Sequence, residues 1–293
     1  MPYQLAVAQF SPEKGRASAN AARIGELVHQ AAAKGAELVV FPESIWTGYF
    51  LEGGADEHSA RPEQVAAELA PHVQGVGPLE IILGYYEQSD GRPYNSAVHL
   101  LVEGGRVTVR GNYRKIFLPT YGVFDEARFH APGDHLGVFE TRHGRVGCLI
   151  CEDVWHSTMG TLLALAGCHL VVVPSASPAR GFQNEKPGNL LRYERMVSAM
   201  AEEHGVYGAA SMLCGFEGGK GFTGGSFIIG PDGVALGQAP LLEEAIVMAE
   251  VDEAEVRACR MRTPLLEDLR ENWARLLAMS APHIEAPSPM PRD

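Results

Sequence analysis

The stretch Val146–Ser157, VGCLICEDVWHS, puts a cysteine at the end of an apolar run and follows it with two acids and a tryptophan. Cys151 there could pack, ligate a metal, exchange disulfides or attack an electrophile. Cys148 and Cys151 share the C-x-x-C spacing of redox and zinc sites, but residues three apart on a strand face opposite sides. No second C-x-x-C occurs, and Cys168, Cys214 and Cys259 stand singly in apolar surroundings. Those three and Cys148 read as small core residues, the usual fate of an unpaired cysteine. Cys151 reads differently, because the carboxyl end of a strand is where α/β folds place their sites.

A nucleophilic cysteine needs a proton acceptor and support for a developing oxyanion. Two other stretches offer them. VVFPESIWTGY sets Glu43 just past a buried strand, behind a proline, and YRKIFLPTYGVFDEARF sets Lys115 beside Ile116 and Phe117, with Glu126 further on. An acid after a strand is commonly solvated, and a lysine near aromatics commonly snorkels to water. Three strand ends presenting Glu, Lys and Cys in that order form a much rarer coincidence. His156 reads equally well as a helix-start residue and as a functional one.

The elements that must position these groups alternate strand and helix. Gln4–Phe10 and Ala36–Glu43 read as strands around an Ala-rich helix, Ala17–Lys34. LEIILGYYEQ, YNSAVHLLVEGGRVTVRG and GVFETRHGRVGCLIC read as strands joined by Gly-containing turns. Helices are expected at Ser157–Ala166 and Gly188–Gly205 around the strand Cys168–Pro174. VYGAASML, GGSFIIGPDGVAL and EAIVMAEVD supply further strands, the second with a PDG turn. Helices over 252–260 and Leu265–Met279 close the pattern. Crossovers mixed with hairpins imply α/β architecture with mixed sheets covered by helices. We read one domain over residues 1–280 and a Pro-rich tail over 281–293.

The chain has 293 residues, 46% hydrophobic and 20% charged, enough for a large core without staples. Lys and Arg number 24 against 36 Asp and Glu, a net charge of −12, so phosphate backbones and anionic lipid would be repelled. No nucleic-acid partner is expected. No apolar run approaches the ~20 residues that span a bilayer, so no membrane association is expected either. The N-terminus enters a strand pattern with no basic region before it, and five cysteines without an export signal read as reduced thiols. A cytoplasmic location follows as the expectation.

FPE with Glu43, YRKIFLP with Lys115 and GCLICEDVW with Cys151 together resemble the three signatures of the nitrilase, or carbon–nitrogen hydrolase, superfamily. The likeness runs from the VAQF strand to the RTPLLEDLR segment. It implies a four-layer α-β-β-α sandwich and a homodimer or higher homo-oligomer. LPTYGVFDEARF, CEDVW, PSASPARG and GGSFIIGPDG resemble the glutaminase domain of glutamine-dependent NAD synthetases in particular. The ATP-using domain of those enzymes opens with an SGGxDS loop, a motif missing from this sequence. GGKGFTGG does not fit G-x-x-x-x-G-K-S/T either. A free-standing amidase-like module is the expectation.

The resemblance also implies roles. Glu43 is the general base, Cys151 the nucleophile, Lys115 the oxyanion support together with the backbone N–H of Glu152, and Glu126 the acid that keeps Lys115 charged. Glu152, Tyr121 and Ser177 match substrate-holding positions, and Ser177 reads equally as a turn residue before Pro178. The substrate implied is a small-molecule amide, hydrolysed through a thioester with release of ammonia, with no cofactor and no metal. Nitrile or N-carbamoyl hydrolysis, or ammonia supply to a partner synthetase, are the alternatives.

Overall fold

The structure, a computed structural model, describes residues 1–50, 54–184 and 186–284. In chain order the first half runs β1 (Tyr3–Gln9), α1 (Ala17–Ala33), β2 (Leu38–Val40), α2 (Pro62–Leu69), β3 (Leu79–Glu87), β4 (Tyr94–Glu103) and β5 (Arg106–Arg114). Next come α3 (Glu126–Phe129), β6 (Val138–Thr141), β7 (Gly144–Cys148), α4 (Ser157–Leu165), β8 (Leu170–Ser175) and α5 (Gly188–His204). The remainder is β9 (Tyr207–Met212), β10 (Cys214–Glu217), β11 (Lys220–Thr223), β12 (Phe227–Ile229), β13 (Ala235–Gln238), β14 (Ala245–Val251), α6 (Glu253–Arg262) and α7 (Leu265–Ser280). No helix among the described residues is long and apolar enough to cross a membrane.

Two six-stranded sheets result, in the orders β14-β1-β2-β3-β4-β5 and β13-β12-β9-β8-β7-β6. Each has a parallel centre, β1-β2-β3 and β7-β8-β9, flanked by antiparallel partners. The period of two along each strand sorts the residues between two faces. Leu5 and Val7 of β1, Leu38 and Val40 of β2 and Tyr113 of β5 join Val146, Cys148 and Val172 of the other sheet in one core. Ala6, Ala8 and Val39 face the other way, onto Ile24, Leu27 and Val28 of α1 and Val65 and Leu69 of α2. The outer face of the second sheet is thinned by glycine so that helices can lie close. A Cβ on Gly147 would meet Leu163 of α4 at 2.8 Å, and one on Gly208 would meet Val197 of α5 at 2.5 Å. The layers are therefore helix, sheet, sheet, helix, as the resemblance implied.

Several elements depart from the sequence reading. β2 stops at Val40, because Pro42 has no N–H to continue the ladder. α2 and the two-stranded ribbon β10-β11 were not anticipated, and that ribbon is where most of GGKGFTGG lies. Cys259 is a correction: it sits half-exposed on α6, where a polar helix faces water, and is no core residue. The tail reading is only partly covered. Residues 281–283 continue α7 as a 3-10 turn, and 285–293 lie outside the described residues.

What matters for chemistry is that β2 and β5 run in the same sense, as do β7 and β8. Their carboxyl ends deliver Glu43, Lys115, Cys151 and Ser177 to one edge of the sandwich. Two devices hold that edge. The first is Gly84, over which the chain after β2 folds: Gly84 N–H donates to Pro42 O at 3.1 Å, and Trp46 N–H donates to Gly84 O at 3.2 Å. The second is buried Asp153. Its Oδ1 accepts the N–H groups of Ile116 and Phe117 (3.2 and 2.9 Å), and its Oδ2 accepts Tyr113 Oη–H and Ile150 N–H (2.8 and 3.1 Å). One carboxylate thus fastens the loop carrying Lys115 to the loop carrying Cys151.

Both devices make testable demands. A Cβ at Gly84 would fall 2.4 Å from Ser44 N and 2.6 Å from Glu43 Cα, both backbone atoms that cannot swing away. Gly84→Ala is expected to cost about 2 kcal/mol of stability by overpacking, read as a lower melting temperature. An unchanged melting curve would refute the close approach. Asp153→Asn sets an amide NH2 against donors, and is expected to cost about 2 kcal/mol in a urea titration. A variant that unfolds at the wild-type midpoint would show that Asp153 fastens nothing.

Candidate active site

Lys115 is the first residue past β5, and its side chain is wholly buried. Nζ donates to Glu43 Oε1 at 2.8 Å and to Glu126 Oε1 at 2.9 Å. Glu43 is held on both oxygens: Oε1 also accepts Asn95 Nδ2 (2.7 Å), and Oε2 accepts the backbone N–H of Ala176 (2.7 Å). Ala176 follows β8 of the second sheet, so this one side chain joins the two sheets. Glu126 opens α3 and is further tied by the hydroxyl of Tyr49. Tyr49 N–H in turn donates to Glu217 Oε2 of β10 at 2.7 Å.

The charges follow from this packing. Burial disfavours the ammonium of Lys115, but the adjacent carboxylates of Glu126 and Glu43 outweigh it and hold its pKa well above the ordinary lysine value. Burial raises the pKa of Glu43. Lys115 opposes the rise and Glu126 adds to it, and the net direction is up. Burial first, and the charge of Glu43 second, push the Cys151 thiol above its ordinary range, with Lys115 opposing. The resting set is a neutral thiol beside a firmly charged ammonium.

Cys151 lies three residues beyond β7, at the head of a 3-10 turn, Cys151–Trp155. Its φ is +52°, a region that a non-glycine residue enters only when its surroundings enforce it, at about 1–3 kcal/mol. Ser44, next to Glu43, has the same φ. The first N–H groups of such a turn, that of Glu152 among them, have no partner within it. Sγ lies 3.1 Å from the hydroxyl of Tyr193, a fully buried residue of α5. Among the described residues, no group of three or more His, Cys, Asp or Glu side chains is placed to hold a metal ion.

A narrow cleft of about 10 Å³ covers Cys151, walled by Tyr121, Phe124, Glu152, Trp155, Ser177 and Arg180. It shares Tyr121, Trp155 and Arg180 with an outer recess of about 420 Å³ that Asn189 and Arg192 also line. The positions matched to substrate holding therefore meet at one place. Glu152 accepts the Tyr121 hydroxyl at 3.0 Å, and Ser177 Oγ accepts Asn189 Nδ2 at 2.9 Å. His156 stacks on Phe117 with ring centroids 3.6 Å apart.

Sequence reasoning missed Tyr193, Arg192 and Asn189, which α5 delivers at i, i−1 and i−4 from one another's turn. Their signal is present but faint: polar residues at helical spacing on a helix whose apolar spacing reads as core. Asp153 was hidden by its neighbours, and Asn95 by Ser96 and His99, polar residues of the same strand.

Residues 4–261 match the carbon-nitrogen hydrolase family. The chain is 30% identical over 291 residues to the glutamine-dependent NAD(+) synthetase of Acinetobacter baylyi, covering 97% of this chain and 50% of that one. It thus spans about half the length of the synthetases it matches. The crystal structure of a carbon-nitrogen hydrolase from Helicobacter pylori superposes with a TM-score of 0.81 at 26% identity, over 95% of this chain and 99% of that one. A double mutant of the amidase from Nesterenkonia sp. in complex with acrylamide superposes with a TM-score of 0.73 at 25% identity, over 94% and 96%. By sequence along most of its length and by fold, the chain belongs to the carbon-nitrogen hydrolase family, the nitrilase superfamily.

Proposed function

We propose that this hydrolase cleaves the C–N bond of a small-molecule amide through a thioester on Cys151. The observation that carries the reading is the buried Glu43–Lys115–Glu126 set beside a strained cysteine at the foot of a narrow cleft. A cation kept wholly from water, with its charge secured by two acids, is of most use where negative charge appears during reaction.

Because the thiol is neutral at rest, a base must remove its proton, and Glu43 is the carboxylate of the set with its pKa raised toward that task. The sulfur attacks the amide carbon and the carbonyl oxygen becomes an oxyanion, met by Lys115 and the N–H of Glu152. Glu43 returns the proton to the leaving nitrogen, ammonia departs, and the acyl group remains on sulfur. Glu43 then deprotonates water, which attacks the thioester to give the carboxylic acid and the free thiol. Tyr193 donates its hydroxyl hydrogen to the sulfur as negative charge gathers there. No cofactor enters any step.

A second reading, an ammonia-supplying glutaminase, is favoured by the half-length match to the synthetases and by Glu152, Tyr121 and Ser177 lining one cavity. Ammonia release from glutamine measured beside simple aliphatic amides separates the two.

Cys151→Ala should abolish ammonia release with circular dichroism unchanged, and Glu43→Gln or Lys115→Ala should each lower turnover by about three orders of magnitude. Glu126→Ala should cost less. Near-normal turnover in Cys151→Ala or Lys115→Ala would end the mechanism. Since Glu43 must be ionised and its pKa is raised, kcat/KM should fall with falling pH at values above the ordinary glutamate range. An acid limb at or below that range would remove Glu43 as the base.

Iodoacetamide should label Cys151 before Cys148, which burial also holds neutral and which lies fully buried in the core between the sheets. Tyr193→Phe should slow that labelling and turnover together by about tenfold, with the alkylation profile displaced to higher pH. A profile that does not move would make Tyr193 a packing residue only.

A further inference from the structure

The β10-β11 ribbon grips the residue that stands behind Glu126. Glu217 closes β10 and is almost wholly buried, and its Oε2 accepts the Tyr49 N–H at 2.7 Å. Phe222 of β11 packs edge-on against the Tyr49 ring, with centroids 6.1 Å apart. The Glu217 carboxylate lies close against the turn before Tyr49. A Cβ on Gly48, which takes φ +83°, would come within 3.0 and 3.1 Å of its two oxygens. At its other end Tyr49 donates its hydroxyl to Glu126 Oε1, the same oxygen that accepts Lys115 Nζ. Glu126 Oε2 is buried with no partner among the described residues. Apart from Lys115 itself, Tyr49 therefore fixes how that carboxylate is turned.

Glu217 is itself short of partners. Its Oε1 is buried without one among the described residues, and the charges near it are Lys14, before α1, and Lys220, its cross-strand neighbour on β11. Burial, opposed by the Tyr49 N–H and by Lys14, pushes its pKa up to about 7. No step of the hydrolysis uses this carboxylate. Resting on the amidase reading, we infer that Glu217 is a positioning residue: its charge holds Tyr49, Tyr49 sets Glu126, and Glu126 sets Lys115 beneath the oxyanion, so that a proton taken up by Glu217 slackens the site. A carboxylate binds an N–H roughly twice as strongly as a neutral oxygen does, so the proton weakens the grip on Tyr49 without breaking it. The charge is present above the pKa of Glu217, and the support is lost as pH falls through it.

Glu217→Gln keeps the shape and an acceptor for the Tyr49 N–H but removes the charge, and so stands for the protonated form at every pH. The measurement is kcat for ammonia release across neutral pH, wild type divided by Glu217→Gln, a ratio in which the Glu43 limb cancels. It should be about fivefold in mildly alkaline buffer and fall to one in mildly acid buffer, with KM changed by less than about twofold. KM is spared because the ribbon's bond to the cavity wall, Ala179 N–H to Gly221 O at 2.8 Å, does not involve Glu217. In a Tyr49→Phe background, which lacks the hydroxyl, the same ratio should be one throughout. A ratio that does not change with pH, or one that Tyr49→Phe leaves intact, overturns the inference and makes Glu217 a packing residue. The rate of Cys151 alkylation by iodoacetamide in the same proteins reads the support that Lys115 gives the thiolate, without turnover, and should show the same pattern. That pattern with no ammonia released from any amide would sink the amidase reading and leave the linkage standing. An alkylation ratio of one at every pH would sink the linkage.

Discussion

Everything at the working edge of this protein depends on one ammonium ion kept out of water. Removing a charge of that size from solvent carries a penalty of several kcal/mol even after relaxation, which only close, well-made partners can offset. Lys115 has two, at 2.8 and 2.9 Å, and each is itself tethered. Glu43 is held by Asn95 from its own sheet and by Ala176 from the other, and Glu126 by Tyr49. The cation thus dictates the placement of both acids, and the acids dictate how the two sheets meet. Such an arrangement adds little net stability, and its value lies in fixing one geometry among many.

The backbone departs from ordinary conformations around this point. Ser44 and Cys151 both take positive φ, and Gly84 admits a neighbouring chain at a distance that no side chain would allow. Strain of this sort survives where surrounding contacts over-determine it. Here they do: Asp153 fills all of its accepting capacity with donors from two loops, and Tyr113 beneath it belongs to the core between the sheets. Conformational freedom near the nucleophile is removed from both sides.

The legibility of this site in the sequence was uneven for a physical reason. Glu43, Lys115 and Cys151 follow apolar strands, and a polar residue that breaks such a run is visible to anyone reading along the chain. Glu126 stands out through its aromatic neighbours. Strand and helix periods were enough to outline both sheets, because burial on both faces leaves long apolar runs in β3 and β8. Asp153 and Asn95 escaped notice because their partners lie 37 and 52 positions away. Tyr193 and Arg192 escaped because the face they occupy on α5 is defined only once α5 has docked. The β10-β11 ribbon, a Gly-rich segment with little alternation, resembled a loop.

The bond from the Ala176 amide to Glu43 carries a further implication for how the molecule breathes. That N–H belongs to one sheet and its acceptor to the other, 133 positions earlier, inside the most densely charged part of the interior. It can exchange its hydrogen with solvent only when the contact between the segments that follow β2 and β8 opens. Its exchange rate therefore reports the free energy of opening that contact. Catalytic competence and the docking of two structural halves share a single amide, and a motion that loosens one must disarm the other.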